Sequence, residues 1–236
     1  MSDSFAVVSF PDSAWNQAMK ALAKTATHHL PQDWYRKIAL RAPPPAGFGG
    51  VEMIEAECRA VLAAKAFRAA RLGEIKAQAG SVWDAIQPVQ DVLGPMRSAS
   101  KAMIDAAIED LTCGVFQLKM DFNRGRPHQC CNLQIEPLFN DQRDPNYPGH
   151  PSYPSGHASQ AFTTALLYAH LFPRLEESLL TAARRVARNR EIGGMHFPSD
   201  TDAGEDLSTQ FVGMLVRCGS FEPLMNAVRA EWLEFA

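Results

Sequence analysis

Apolar residues recur at helical spacing along most of this 236-residue chain, and the strict alternation typical of half-buried strands is scarce. Side chains three and four positions apart share one face of a helix, so these repeats predict helices that bury a stripe against their neighbours. With 46% hydrophobic residues, the chain has enough apolar surface for one core, and we predict a single domain over 1–236. The expected fold is all-α, a helical bundle, with helices over 13–27, 51–78, 99–120, 157–171, 175–190, 206–218 and 223–234.

Two regions are rich in residues that break helices. RAPPPAGFGG occupies 41–50, and six prolines fall within 121–156. We expect the first region to link an N-terminal helical extension, residues 1–50, to the rest of the bundle. A structureless loop as long as the second region is unusual inside a compact domain unless it is functional. We therefore expect residues 121–156 to contribute to a site.

Charge and the N-terminal sequence restrict the partners and the location of the protein. The formal net charge is −3 at pH 7, so there is no overall basic field to attract nucleic acid or anionic lipid. The N-terminus has no Lys or Arg before Lys20 and no long apolar run, and no stretch has the pattern of a membrane span. We expect a soluble, cytoplasmic protein. The sequence leaves its oligomeric state open, a homo-oligomer included.

The cysteines predict neither disulfides nor a metal centre. There are five of them, and they form no CxxC pair. Because cytosolic proteins seldom keep disulfides, we expect free, buried thiols and no thiolate-bound metal. The five are Cys58, Cys113, Cys130, Cys131 and Cys218.

The first chemical motif places two cations near a helix end. Lys119 is followed after six residues by Arg126 and Pro127, where a long predicted helix runs into the Pro-rich region. Arginine presents a planar fork and lysine a compact charge, so the pair suits a phosphate better than a carboxylate. Taken alone, the pair is explained more simply as a solvated basic helix end.

The second motif opens a helix. Ser155 and Gly156 lead into a helix that begins near His157. Helix N-termini leave backbone N–H groups unpaired, and glycine lets a ligand approach the main chain closely, so an oxyanion would fit there. Taken alone, an N-cap serine beside an incidental histidine explains this segment more simply.

The third motif contains a histidine and a carboxylate. Arg190 lies six residues before His196, and Asp200 follows four residues after it. A carboxylate bonded to one ring nitrogen fixes the tautomer of a histidine and leaves the other nitrogen free to attack or to accept a proton. The competing interpretation is a helix-start aspartate and a histidine packed in the core. Together, however, the three motifs supply the parts of one phosphoryl-transfer site.

The three motifs resemble the signature of the PAP2 superfamily, which includes bacterial class A acid phosphatases, lipid phosphatases and vanadium-dependent haloperoxidases. That signature runs Lys, six residues, Arg-Pro; then Pro-Ser-Gly-His; then Ser-Arg, five residues, His, three residues, Asp. The residues that match it are Lys119, Arg126, Pro127, Pro154, Ser155, Gly156, His157, Arg190, His196 and Asp200. The one departure is Asn189, where the family usually has Ser. The resemblance covers 119–204, the signature-bearing catalytic core, and implies a helical bundle with its site among helix ends.

The resemblance implies a metal-independent phosphatase that hydrolyses phosphate monoesters or diphosphates. His196 would attack phosphorus to form a phosphohistidine, with Asp200 beside it, and a protonated His157 would donate a proton to the departing oxygen. These protonation states predict a bell-shaped pH dependence with an acidic to neutral maximum. The phosphoryl oxygens would be bound by Lys119, Arg126, Arg190 and the backbone N–H groups of Ser155 and Gly156.

Two alternatives use the same residues. A vanadium-dependent haloperoxidase would hold vanadate as its cofactor, and the stretch GHPSYPSGHA at 149–158 resembles such enzymes, which are usually far longer than this chain. The second alternative is a non-catalytic phosphate-binding protein. The phosphatase itself would need no cofactor, and its partner would be a phosphorylated small molecule that the sequence does not identify. His150 and Tyr153 are candidates to line the entrance to its pocket.

Overall fold

A computed structural model describes residues 8–40, 50–131, 135–141 and 143–235. These residues form α-helices joined by short 3₁₀ turns, and within them the only extended pairing between residues is an isolated antiparallel bridge from Ser9 to Arg124. The prediction of an all-α fold is confirmed. The α-helices are α1 Gln17–Ala21, α2 Gly50–Ala64, α3 Arg68–Ala77, α4 Val82–Gln90, α5 Ser98–Phe122, α6 Pro127–Cys130, α7 Gly156–Leu171, α8 Glu176–Ile192, α9 Pro198–Leu215 and α10 Glu222–Glu231.

Helix α7 lies at the centre of the bundle and packs against α4, α5, α8 and α9. It falls within 145–173, the longest stretch without Asp, Glu, Lys or Arg, so it can be buried on most sides. Its approach to α9 is close. A Cβ on Gly204 of α9 would lie 2.8 Å from the Cβ of Ala158, which is too short for a normal contact. Glycine at 204 thus lets the two helices that begin at the site pack together.

Several helix boundaries differ from the predicted ones. The predicted helix 51–78 is divided into α2 and α3 by a 3₁₀ turn, and only α1 within 13–27 is α-helical. Helix α4 was not predicted, because Pro88 interrupts its pattern. Helix α9 begins at Pro198 rather than near 206, since its first turns carry polar residues instead of an apolar repeat. Proline fits the first position of a helix because its missing N–H would have no partner there.

Two of the five cysteines are not free. Cys58 of α2 and Cys131, which follows α6, form a disulfide, so the prediction of free thiols is wrong for this pair. The other three, Cys113, Cys130 and Cys218, are free as predicted. The pairing joins residues 73 positions apart, a contact that spacing along the chain does not reveal. Disulfides are rare in the cytosol, so this bond does not favour the cytoplasmic location expected above.

The structure describes the two regions rich in helix-breaking residues, 41–50 and 121–156, to different extents. Residues 41–49, most of the predicted linker, lie outside the described residues. Within 121–156 the described residues include α6 and a series of turns around the later prolines. Among all the described residues, no helix combines the length and apolar character needed to span a membrane. The division into an extension over 1–50 and a catalytic core over 119–204 stays a prediction.

Candidate active site

The ends of five helices meet around one cavity of about 400 Å³. Each of the three sequence motifs contributes to its lining. The motif residues that line it directly are Lys119 in the last turn of α5, Arg126 before α6, Gly156 and His157 in the first turn of α7, Arg190 in the last turn of α8, and His196 before α9. Segments far apart in sequence are therefore brought into one site, as the motif order predicts.

Local turns direct these chain ends toward the cavity. Helix α5 stops at Asn123, whose left-handed backbone (φ 44°) breaks the helix directly before Arg124 and Arg126. Gly194 has φ +72° in the turn after α8, a conformation that residues with a Cβ rarely adopt. A Cβ there would also lie 3.2 Å from the carbonyl oxygen of Glu136. This turn leads directly to Met195 and His196 in the cavity wall.

The cavity floor is strongly positive. Lys119, Arg126 and Arg190 are each no more than 2% exposed, and among the described residues that line the cavity there is no aspartate or glutamate. Burial lowers the pKa of Lys119 well below its usual value and the pKa of Arg126 and Arg190 to about 10. The pKa values of both arginines still lie well above neutrality, so each remains a cation at pH 7. Such a floor favours an anionic ligand.

Lys119 and Arg190 differ in how many donors they have left. The ammonium of Lys119 donates to the carbonyl oxygens of Pro151 at 2.8 Å, Ser152 at 3.2 Å and Pro154 at 2.5 Å, which uses all three of its N–H bonds. Lys119 thus holds the loop before α7 and offers an anion its charge. Arg190, in contrast, has a buried Nε that finds no hydrogen-bond partner among the described residues. Buried donors in proteins are normally hydrogen-bonded, so this unpaired N–H on a cavity-lining residue makes Arg190 a candidate anion-binding group.

His196 and Asp200 form the pair that the third motif predicts. The Nδ1 atom of His196 lies 3.2 Å from Oδ2 of Asp200, and its Nε2 lies 3.4 Å from Nη1 of Arg126. A guanidinium can only donate, so Nε2 is the unprotonated nitrogen and Nδ1–H donates to Asp200. Burial, followed by the charges of Arg126 and Lys119, holds the pKa of His196 well below its usual value. His196 is therefore neutral, with a lone pair on the nitrogen beside the cationic floor.

Comparison with known proteins identifies the family of the chain. A model of the PAP2 superfamily matches residues 104–222, about half of the chain and all three motifs. The chain belongs to the PAP2 superfamily. A non-specific acid phosphatase from Providencia stuartii is 27% identical over 81 residues, which are 34% of this chain and 33% of that protein. The similarity thus spans about a third of the length of that curated relative.

The second motif of the PAP2 signature differs from the prediction at Ser155, which was expected to bind phosphate through its backbone N–H. The backbone N–H of Ser155 donates to the carbonyl oxygen of Asp200 at 2.9 Å, so it is not available to a phosphate. Its hydroxyl accepts from the N–H of Ala158 and caps α7. Gly156 does line the cavity, and a Cβ placed on it would meet no atom within 4 Å. The Ser155 N–H is therefore not part of the predicted main-chain cradle, and the role of Gly156 in it stays a prediction.

His157 is placed by a residue outside the PAP2 signature. Its Nε2 lies 3.1 Å from the carbonyl oxygen of Gln78, which can only accept, so Nε2 carries the proton. Burial and then the charge of Arg190 lower the pKa of His157 to about 3. The expected protonated His157 is thus neutral in the ligand-free protein. The charges of the three nearby cations, Arg190, Arg126 and Lys119, oppose its protonation.

Gln78 also contacts the residues around Arg190. Its side-chain oxygen accepts from Asn189 at 3.0 Å and from Arg190 at 3.4 Å. Asn189, which stands where the PAP2 signature usually has Ser, therefore shares with Arg190 one acceptor from the end of α3. Gln78 lies 41 residues before Lys119, in a segment that carries no motif, so no sequence signal identified it.

The two predicted entrance residues have different positions. His150 lines the cavity, with its ring against Phe116 at a centroid distance of 5.3 Å. Tyr153 is fully buried, its ring packs on Phe122, and it is not among the residues that line the cavity. The prediction for Tyr153 is wrong, because its side chain packs inside the protein against Phe122 rather than beside the cavity.

Proposed function

We propose that this protein is a phosphatase that hydrolyses phosphate monoesters by way of a phosphohistidine on His196. One observation carries the proposal: a neutral histidine presents its unprotonated Nε2 beside three buried cations, in a cavity whose described lining has no carboxylate. A carboxylate there would repel a phosphoryl dianion, whereas the cations attract it. The acid phosphatase relative supports the same reaction class.

In the proposed first step, Nε2 of His196 forms a bond to phosphorus while the ester P–O bond breaks. The electron pair of that bond leaves on the alcohol oxygen, which takes a proton from His157. Asp200, which accepts the Nδ1–H bond, stabilises the positive charge that develops on the ring of His196. Arg126 and Arg190 neutralise the phosphoryl oxygens as charge spreads over them.

The second step returns the enzyme to its starting state. His157, now neutral, removes a proton from water as the water oxygen attacks phosphorus. The P–N bond breaks, its electron pair returns to Nε2 of His196, and phosphate leaves. No metal ion is needed in either step, since Lys119, Arg126 and Arg190 supply the positive charge.

The outer part of the cavity supports substrates whose ester group is apolar. Besides the cations and polar residues such as Thr112, Asn146 and Gln160, the cavity lining has an apolar wall. Its aliphatic and aromatic side chains include Leu111, Val115, Phe116 and Phe139, with Met19 and Leu22 from the N-terminal region. Burial of each methylene contributes about 0.8 kcal/mol, or about fourfold in affinity. We propose that this wall favours alkyl or aryl phosphates over hydrophilic esters.

A phosphate-release assay across ester groups tests this function. We expect kcat/KM to rise from glycerol phosphate to butyl and hexyl phosphate, by about fourfold for each methylene that is buried. Absence of phosphate release from every ester would contradict the proposal. Equal rates for glycerol and hexyl phosphate would contradict only the role of the apolar wall.

Vanadate separates the proposal from the haloperoxidase alternative. The cationic floor fits vanadate as well as phosphate, because the two anions share shape and charge, and bound vanadate would supply activation of peroxide. We expect vanadate to inhibit phosphate release. Oxidation of bromide on addition of vanadate and peroxide, without hydrolysis of any ester, would instead favour the haloperoxidase.

The state of His157 predicts that anion binding is coupled to proton uptake. A bound dianion offsets the repulsion from Arg190, so the pKa of His157 should rise from about 3 toward its usual value. At a pH between the pKa of His157 in the free protein and its pKa in the complex, the complex binds more protons than the free protein. The affinity for the anion should therefore increase as pH falls. Sulfate suits the test because its own charge is constant in this range. Calorimetry in buffers of different ionisation enthalpy should show proton uptake.

The histidine variants identify which residue takes up the proton. His157→Gln should abolish most of the uptake, while His170→Gln, which changes an exposed imidazole outside the cavity lining, should keep it. Uptake that is unchanged in His157→Gln would assign the proton elsewhere and remove His157 as the acid.

A further inference from the structure

We propose that Glu57 and Arg124 form a positioning pair that holds Asp200, and through it His196, in the geometry needed for attack on phosphorus. The inference rests on the proposed function, because it concerns the same histidine. Neither residue is a position of the PAP2 signature, and Glu57 lies outside the matched range 104–222. Glu57 would thus be a part of the active site that comes from the N-terminal half of the chain.

Arg124 contacts Asp200 directly. Its Nη1 donates to Oδ1 of Asp200 at 2.7 Å and to the hydroxyl of Ser199 at 2.6 Å. Its guanidinium also lies 4.2 Å from the ring centroid of Phe197, so it is held between the carboxylate and an aromatic face. Arg124 is 2% exposed. A cation with so little freedom fixes the plane of the carboxylate that it binds.

Glu57 holds Arg124 from the other side. One of its carboxylate oxygens accepts from Nη2 of Arg124, and the other accepts from the backbone N–H of Ser199 at 2.8 Å. Glu57 therefore joins α2 both to Arg124 and to the first turn of α9, the turn that carries Asp200. The next residue, Cys58, is bonded to Cys131, which fixes this turn of α2 to the segment after α6.

The result is a chain of contacts in which every acceptor atom of Asp200 has a donor. Oδ1 faces Arg124, and Oδ2 accepts from the N–H of Phe197 at 2.9 Å and from His196. The carboxylate therefore cannot rotate without breaking a bond on both oxygens. The fixed carboxylate leaves the ring of His196 a single orientation, in which Nδ1 is bonded to Asp200 and Nε2 faces the cavity.

Charge gives the pair a second role. Among the six buried charged side chains of the site, the four cations exceed the two carboxylates by two. Burial alone would lower the pKa of Arg124, but Asp200 and Glu57 raise it above its usual value. Without Glu57, Asp200 would be the one carboxylate beside these four cations. Repulsion from Lys119, Arg126 and Arg190 would then oppose the contact of Arg124 with Asp200.

Glu57→Gln is the variant that tests the pair most sharply. Glutamine keeps the shape and an oxygen for the Ser199 N–H but removes the charge that holds Arg124. We expect kcat per folded molecule to fall by about 10- to 100-fold, with KM for hexyl phosphate within about twofold, because Lys119, Arg126 and Arg190 are untouched. Glu55→Gln is the matched control, since Glu55 lies on the same helix and forms an exposed pair with Arg59.

Arg124→Gln gives a readout that a purely structural role would not move. In the native protein the cations Lys119, Arg126 and Arg190 and the ring of His157 oppose protonation of His196, and Asp200 favours it. When Arg124 no longer shares the charge of Asp200, the pKa of His196 should rise. The acid limb of kcat/KM should then move to higher pH, and ¹⁵N NMR of the imidazole should show protonation of Nε2 at the corresponding pH.

The outcomes show whether the positioning pair or the proposed function has failed. If His196→Ala stays active, the proposed function fails. If His196→Ala is inactive and Glu57→Gln has native kcat, only the positioning pair fails. A loss in Glu57→Gln that matches the unfolded fraction measured by circular dichroism, together with an unmoved acid limb in Arg124→Gln, would also overturn the pair, because it would then act on stability alone.

Discussion

Replacement of His196 by alanine is expected to lower kcat for hexyl phosphate by about 10⁴-fold or more, because the variant lacks the nitrogen that bonds to phosphorus. The fold should be retained. His196 precedes α9 in a loop rather than packing inside a helix, and its ring lines a cavity. Phosphate release and thermal unfolding, measured on the same preparation, check both parts of this expectation.

A matched histidine change controls for the loss of an imidazole. His170 is exposed near the end of α7 and does not line the cavity. His170→Ala should therefore have native kcat. A His196→Ala protein that is folded and releases phosphate at more than about a hundredth of the native rate would rule out the phosphohistidine.

Asp200→Asn should impair both catalysis and stability. Each group that contacts its carboxylate acts as a hydrogen-bond donor: Arg124, Ser152, Phe197 and His196. An amide NH₂ must therefore face a donor whichever way it is turned. If it faces His196, it favours the tautomer with the proton on Nε2, which cannot attack. We expect kcat to fall by about 10²- to 10⁴-fold.

The stability cost of the same change follows from the ion pair with Arg124. Removal of one partner from a buried pair leaves an uncompensated charge and costs about 3–5 kcal/mol. Urea unfolding should show this loss. Asp202→Asn, two residues further along α9 and exposed, is the control and should leave both kcat and stability near native. A fully stable and fully active Asp200→Asn protein would remove Asp200 from the mechanism.

Both the fold class and the signature residues can be predicted from the sequence, because each depends on a local pattern. Helical periodicity is a local property, so α5, α7 and α8 are apparent from the sequence alone. The signature residues carry charge or imidazole at fixed spacings, so Lys119, Arg126 and His196 are equally apparent. Family membership then places these segments at one site, although the spacing itself contains no distances.

What the sequence does not predict depends on contacts between distant segments. Ser155 looks like a phosphate ligand until the carbonyl of Asp200 is seen to occupy its N–H. Glu57 and Gln78 are ordinary polar residues on amphipathic helices, and only the folded chain brings them to Arg124 and His157. The Cys58–Cys131 bond was missed for the same reason.

The contacts made by Gln78 bear on how this signature could be transplanted. A designer who copied residues 104–222 into another helical scaffold would carry every signature side chain but leave behind the carbonyl that holds His157 and the amide oxygen shared by Asn189 and Arg190. The graft would bring its cations without the framework that keeps them apart and oriented. The smallest portable unit of this active site therefore includes the end of α3, well upstream of the first signature lysine.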